Sequence, residues 1–415
     1  MSLFSPTTWP FDIQHLPKGA CLVGGSVRDE LLNRKATYLD LDFVLPTAAV
    51  KTASDIASAY DAGFVVLDKE RHIARVVFEQ VTVDFAQQQG DSIETDLQRR
   101  DFTVNAIAYN PHTQTFIDPL QGKADITSKT LRMVSYHNLA DDPLRLMRAY
   151  RQAAQLGFTV ETSTQTAIAQ LAPALQTVSV ERIRSELDAL LTVPNAHPQL
   201  GAIWQAQLLT FCLPSFTESS VEQIAAIDEA LTAFQKALPD YAQSLSQWYQ
   251  PVPTGVSRSW IKAAKLSCLL SQEPKVAATE LTQLKYSRAE TQAICTLLKA
   301  NPYINLLSQR PLTRAEQFFL FKTAGPHFPA VSLLAKAKGA MLKALRPLIQ
   351  QFLDPDSALA HAPTLITGDQ LMKILELKPG PAIGKLLTAV EQAQAEGKIE
   401  TTENAIAWLK THHST

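Results

Sequence analysis

Positive charge is not in excess in this chain. Across 415 residues, 38 Lys and Arg stand against 40 Asp and Glu, a formal net charge of −2. That excludes a uniformly basic coat, although a local patch would still reach phosphates over a Debye length of roughly 10 Å. Cysteine is scarce: Cys21, Cys212, Cys268 and Cys295 are scattered without metal-ligand spacing. They read as reduced thiols of a cytoplasmic protein, with Cys21 packed in an apolar strand. No apolar run approaches a membrane span, and the opening MSLFSPTTWPFDIQHLP lacks the basic region and long apolar stretch of a signal peptide, so neither membrane nor export is expected. Apolar content is ordinary at 46%, without a disorder signature. The length exceeds a single ordinary core, so two or more domains are expected.

What is present centres on Gly24 to Asp42, GGSVRDELLNRKATYLDLD. Ala20 to Val23 reads as a buried strand, Gly24 and Gly25 break it, Ser26 to Asn33 has helical character, and Leu39 to Leu45 reads as a second strand. Asp40 and Asp42 are two apart, so both side chains project from one face. Two carboxylates so placed can share hard divalent cations, which bring phosphate groups with them. The glycine pair lets backbone amides approach a phosphate at a helix start. A lone Asp-x-Asp is usually a solvated turn, but Leu39, Leu41, Phe43 and Val44 are strand formers and put these acids on a good strand. The combination points to a nucleoside-triphosphate and metal site.

From Phe64 to Ala86 the pattern predicts strands separated by charged turns. Asp84 faces away from Val81, Val83 and Phe85 and is either a third metal carboxylate or an exposed strand acid. Arg99 and Arg100 precede Asp101; Asn105 lies four residues on and would share a helical face with it. Arginine pairs bind phosphate bidentately, while Asp with Asn can hold ribose hydroxyls; capping and surface charge explain the same residues without function. Residues 116–134 read as strand, turn and strand. In DDPLRLMRAYRQAAQLGF, Asp141 is a natural N-cap, Pro143 suits a first turn and Gly157 a stop. Asp142, Arg145 and Arg148 then recur on one helical face, with Arg151 drifting off it; an ion-paired solvent face is the competing reading.

GGSVRDELL, LDLDF, RRDFTVNAIAY and DPLRLMRAYRQAAQLGF, in this order, resemble the signature motifs of the class II tRNA nucleotidyltransferase and bacterial poly(A) polymerase family. VSVERIRSELDALL, from Val178 to Leu191, and the C-terminal LITGDQLMKILELKPGPAIGKLL are similar to further segments of these proteins. The resemblance implies an α+β fold: a polymerase-β-like nucleotidyltransferase head with a mixed sheet, then an all-α neck, body and tail. The expected boundaries are 1–138, 139–195, 196–350 and 351–415. It implies that Gly24, Gly25 and Arg28 contact the triphosphate and that Asp40 and Asp42, with Asp84 as a candidate third ligand, hold two Mg2+ ions. Arg99, Arg100, Asp101 and Asn105 would handle ribose and phosphate. Asp142 and Arg145 would read the base of CTP or ATP, with Arg148 and Arg151 nearby.

The last assignment has its own chemical logic. A carboxylate accepts from the amine of cytosine or adenine, while a guanidinium donates to the acceptor beside it. Uracil and guanine would set a carbonyl against Asp142. Two departures from the family pattern stand nearby: Asp141 where Glu is common, and Gln152 where Phe is common, the second expected to affect packing. Only fourteen residues separate Asp84 from Arg99, where many enzymes adding the full CCA end carry a longer loop; the family associates a shortened loop with enzymes adding only CC.

Beyond Thr192 to Pro198, read as a linker, helical periodicity dominates, broken at Gln250–Gly255, Gly325–Pro329 and Asp354–Asp356. The stretch 305–350 carries Arg310, Arg314, Lys322, Lys336, Lys338, Lys343 and Arg346 against one acid, Glu316. It is expected to lie along the acceptor and T arms of tRNA, an ordinary solvated face being the competing view. The expected function is template-independent addition of C, extended in a full CCA enzyme to A, at the tRNA 3′ end, with pyrophosphate released and a separate enzyme completing the end if only CC is added. A poly(A) polymerase is the alternative within the family, and a noncatalytic RNA-binding protein the alternative outside it.

Overall fold

The computed structural model describes residues 3–34, 39–247 and 258–412. Its chain forms two units, Met1–Leu190 with Gln205–Leu208, and Leu191–Trp204 with Leu209–Thr415. The predicted break at Gln250–Gly255 lies outside the described residues.

The first unit opens with β1 (Cys21–Val23), α1 (Gly25–Leu31), β2 (Leu39–Leu45) and α2 (Ala49–Ala59). The strands β3 (Gly63–Asp68), β4 (Ile73–Val77) and β5 (Val81–Gln87) follow, then α3 (Ile93–Leu97), β6 (Ala108–Asn110) and β7 (Thr115–Ile117). They make one seven-stranded mixed sheet in the order β3-β4-β5-β2-β1-β6-β7, in which β2 and β5 run parallel and every other pair is antiparallel. The β2 sequence alternates as its strand period requires: Leu41, Phe43 and Leu45 are buried, and Asp40 and Asp42 take the opposite face. Phe43 stacks on Phe85 of β5 at 5.6 Å between ring centroids, and the buried Ala53, Ile56 and Ala57 of α2 line that layer.

Residues 116–134 differ from the expected strand and turn, because the short helix α4 (Gly122–Thr127) fills the connection before β8 (Thr130–Leu131). Asp118 starts it by accepting from the backbone N–H groups of Gly122 and Lys123 at 2.7 and 3.0 Å. The stretch from Tyr136 to Leu156 differs as well, since the helix expected to follow an Asp141 cap begins only at Leu144. It divides into α5 (Tyr136–Asp141) and α6 (Leu144–Leu156), with Asp142 extended between them at φ −135°, ψ 92°. The cause is Pro143, whose ring disfavours the α conformation in the residue before it. Asp141 therefore closes α5 instead of capping α6, while Gly157 does stop α6 at φ 68°. β9 (Thr159–Val160), α7 (Thr162–Leu171) and α8 (Val180–Leu191) complete the unit.

The described remainder is helical. The stretch read as a linker is tied down: Lys265 Nζ, buried, lies 2.7 Å from the Asp228 carboxylate and donates to the Val193 carbonyl at 3.2 Å, while Asp228 accepts from the Asn195 N–H at 3.1 Å. A buried lysine is tolerable only with its charge so compensated. The last helices carry a hydrophobic cluster of their own, including Leu371, Val390, Ala405 and Leu409. No described helix is long and apolar enough to cross a membrane.

Candidate active site

At the end of β1 the chain turns at Gly24, with φ 80° and ψ −146°, a conformation that residues with a Cβ rarely adopt. A Cβ there would lie 3.3 Å from Arg100 Nη1 and 3.7 Å from Asp42 Oδ2. The backbone conformation is thus what calls for glycine here, while a Cβ would only crowd the Arg100 guanidinium slightly where it approaches the start of α1.

The parallel register sets Asp42 opposite Asp84 and Asp40 opposite Thr82. Asp40 is exposed and accepts from Thr82 Oγ1 at 2.8 Å. Asp42 is half-buried. Burial, then the charges of Asp40 and Asp84, push its carboxyl up to about 6, partly offset by Arg100 and Arg75. Asp84, left open by the sequence between ligand and strand acid, has both oxygens engaged by Arg75, at 2.6 and 2.8 Å. Among the described residues no three His, Cys, Asp or Glu side chains cluster as a metal site.

The segment 98–100 is held by Asn138, which donates to the carbonyls of Gln98 and Arg100 at 2.8 and 2.7 Å. Asp101 and Asn105 do meet, but across a single 3₁₀ turn (Thr103–Asn105) and not along an α-helix. Asn105 Nδ2 donates to Asp101 Oδ1 at 2.8 Å and to Gln152 Oε1 at 3.0 Å, and its Oδ1 accepts from Arg28 at 2.6 Å. Arg148 closes on Asp101 at 3.4 Å.

Opposite them, Asp142 also accepts from the Leu144 N–H at 3.3 Å and is paired with Arg182 of α8 at 3.0 Å. Arg145 donates to the carbonyls of Asn138 and Arg99 at 2.7 and 3.4 Å. Arg151 is paired with Glu186 of α8.

One cleft of about 600 Å³ gathers Gly24, Gly25, Arg28, Asp42, Asp84, Arg100, Asp101, Asn105, Asp142, Arg145, Arg148, Arg151 and Gln152. Asp40 and Arg99 are exposed and lie outside its wall. Sequence reasoning did not find Asn138, Arg182 or Arg75, since their partners are fixed by tertiary pairing; for Gln152 the signal was a polar residue among the apolar positions of α6. Several cations of the stretch 305–350 are already engaged: Arg310 forms two hydrogen bonds with Glu316 at 2.8 and 2.6 Å, Lys322 pairs with Glu391, and Lys338 reaches Asn301 at 3.3 Å.

Residues 20–132 match the family described as "Poly A polymerase head domain", 157–219 "Probable RNA and SrmB- binding site of polymerase A", and 257–409 "tRNA nucleotidyltransferase domain 2 putative". The chain is 45% identical over 403 residues, 97% of its own length and 95% of the relative's, to the CC-adding tRNA nucleotidyltransferase of Synechocystis sp.. To the CC-adding tRNA nucleotidyltransferase of Geobacter sulfurreducens it is 32% identical, covering 94% of this chain and 91% of that one. The fold is similar to that of a CCA-adding enzyme solved with ATP, at TM-score 0.69 and 22% identity over 95% of this chain and 91% of the other. The head domain match and the full-length relatives together establish that this chain belongs to the family of tRNA nucleotidyltransferases and poly(A) polymerases.

Proposed function

We propose that this protein adds cytidylate to the 3′ end of tRNA and stops at CC, the 3′-hydroxyl attacking the α-phosphorus of CTP in line with release of pyrophosphate. The observation that carries the reading is the convergence in one cleft of a glycine turn, the carboxylates of Asp42 and Asp84 from a parallel strand pair, the guanidinium groups of Arg28, Arg100 and Arg148, and Asp142 with Arg145. Its restriction to CC is supported by the names of the two relatives and by the short path from β5 to Arg99, which holds only a tight loop and α3.

In this reading Arg28, Arg100 and Arg148 neutralise the triphosphate. Asp101 and Asn105 orient the ribose, and Asp142 accepts from the cytosine amine while Arg145 donates beside it. Asp40 and Asp42 would hold the magnesium ions, and they fit such ions: the donors are hard oxygens, and the fold itself opposes the charge on Asp42 in a way a cation would relieve. Bound there, magnesium would supply Lewis-acid activation of the primer hydroxyl and offset charge on the pyrophosphate. Asp84 would act on the site through the Arg75 pair. The substrate and the free cysteines fit a cytoplasmic location.

Purified protein incubated with tRNAs ending before CC, after CC and after CCA, each with a single nucleotide, tests the reading. CMP should enter the first alone. AMP transfer to the tRNA ending in CC would make it a CCA-adding enzyme, runs of AMP a poly(A) polymerase, and no transfer a noncatalytic RNA-binding protein.

For tRNA contact, Arg314, Lys336 and Lys343 are cations of the basic stretch with no hydrogen-bond or ion-pair partner among the described residues; Lys336 and Lys343 lie close together in sequence, and Lys343 is exposed. Lys336→Ala with Lys343→Ala should raise the KM for tRNA and flatten its dependence on log salt by about one unit for each phosphate no longer neutralised, with the KM for CTP unchanged.

A further inference from the structure

Gln152 was expected to affect packing; it is 5% exposed and also sits in the wall of the nucleotide cleft. Its orientation follows from donor and acceptor arithmetic. Arg28 can only donate, so the oxygen of Asn105 must be the atom that faces it at 2.6 Å. The Asn105 nitrogen then spends its two hydrogens on Asp101 at 2.8 Å and Gln152 at 3.0 Å. A donor there requires Gln152 to present Oε1, which turns its Nε2 amide away from Asn105. No described residue accepts from that amide, and it is not among the sealed, unpartnered atoms of the interior.

Position along α6 says which part of a ligand it would meet. Arg145, Arg148 and Gln152 follow at helical spacing and all line the cleft. At 1.5 Å per residue, Gln152 is about 10 Å along the axis from Arg145, the base-reading candidate, and it lies against the Asp101–Asn105 pair.

We propose that Gln152 is a substrate-contacting residue whose Nε2 amide donates to an oxygen of the sugar-phosphate portion of the bound nucleoside triphosphate, while its Oε1 holds Asn105 in place. This rests on the nucleotide-binding reading of the cleft. The oxygen belongs either to a ribose hydroxyl or to a phosphate, and the two separate experimentally.

The test compares Gln152→Met, of similar length without a donor, and Gln152→Glu, which keeps an oxygen for Asn105 and loses the amide. For each, kcat/KM is measured with CTP and with 2′-deoxy-CTP. A contact to the 2′-hydroxyl predicts that Gln152→Met lowers kcat/KM for CTP about five- to tenfold more than for 2′-deoxy-CTP, shrinking the ratio between them, while any loss shared by both comes from the freed Asn105. A contact to phosphate predicts an equal fall for both, with Gln152→Glu worse than Gln152→Met because its carboxylate repels the anion. The proposal is overturned if Gln152→Met leaves both values within twofold. It is also overturned if the ratio is unmoved and Gln152→Glu restores both, since only the hold on Asn105 would then matter. Should the parent protein transfer nothing from CTP, the activity assigned above fails by itself; calorimetric CTP binding by the parent and Gln152→Glu then decides this proposal separately, equal affinity sinking it.

Discussion

Asp42→Ala should lower CMP transfer to tRNA by about 10³-fold or more, and Asp40→Ala should do the same, with the fold of both variants intact. The magnitude follows from losing several kcal/mol of transition-state charge stabilisation at 1.36 kcal/mol per tenfold in rate. An independent readout tells this from damage to the sheet. In metal-free buffer the Asp42 carboxyl titrates near 6, above its ordinary 3.8, because burial and two neighbouring acids oppose its charge. A carboxyl raised in the folded state binds its proton more tightly there than in the unfolded chain, so its effect on stability grows more unfavourable as pH rises from about 4 through about 6. Removing it should therefore raise the melting temperature relative to the parent at pH 7.5 and change it little at pH 4. Calorimetry at the two pH values, with transfer assays at neutral pH, checks both halves. A variant with near-normal transfer would refute the role given to these acids.

Asp142→Asn should weaken the preference for CTP over UTP by about 10- to 100-fold in the ratio of kcat/KM values, from the 1–3 kcal/mol that one well-made base contact discriminates. The carboxylate can only accept, which suits the cytosine amine and leaves the uracil carbonyl facing an anion. The amide can donate, so UTP use should rise while CTP use falls. Because Asp142 is held by Arg182 at 3.0 Å and by the Leu144 N–H at 3.3 Å, the change is made on a fixed platform, and both partners remain in the variant. Single-nucleotide incorporation with CTP and UTP measures it. An unaltered preference would remove Asp142 from base reading.

Local order was legible in the sequence and tertiary partnership was not. Leu39–Leu45 forms a strand over the expected residues because alternation and β-branched or aromatic composition agree there, and Gly24 takes the turn that only its missing Cβ allows. Only the start of the helix after Asp142 departs from the expectation, and its cause is local: Asp142 precedes a proline, which favours an extended residue there. Asp84 could not be resolved from its own strand, since its commitment to Arg75 depends on how β4 is registered against β5. The basic stretch looked freer in one dimension than it is, because Glu316 turns back across the break between two helices to Arg310 and Glu391 reaches Lys322 from a separate helix outside the stretch. Gln152 was visible as an exception to the family pattern, but only the hydrogen-bond directions around Asn105 gave that exception a chemical meaning.

The parallel union of β2 and β5 also carries a consequence for how the protein comes into being. Those strands cannot be joined by a tight hairpin; α2, β3 and β4 must all be synthesised before Asp40 meets Thr82, forty-two positions later in the chain. Such distant pairings are slow to form. A nascent chain that has emerged only as far as β4 therefore leaves the β2 edge that β5 will cover unpaired, with its aspartates on that strand.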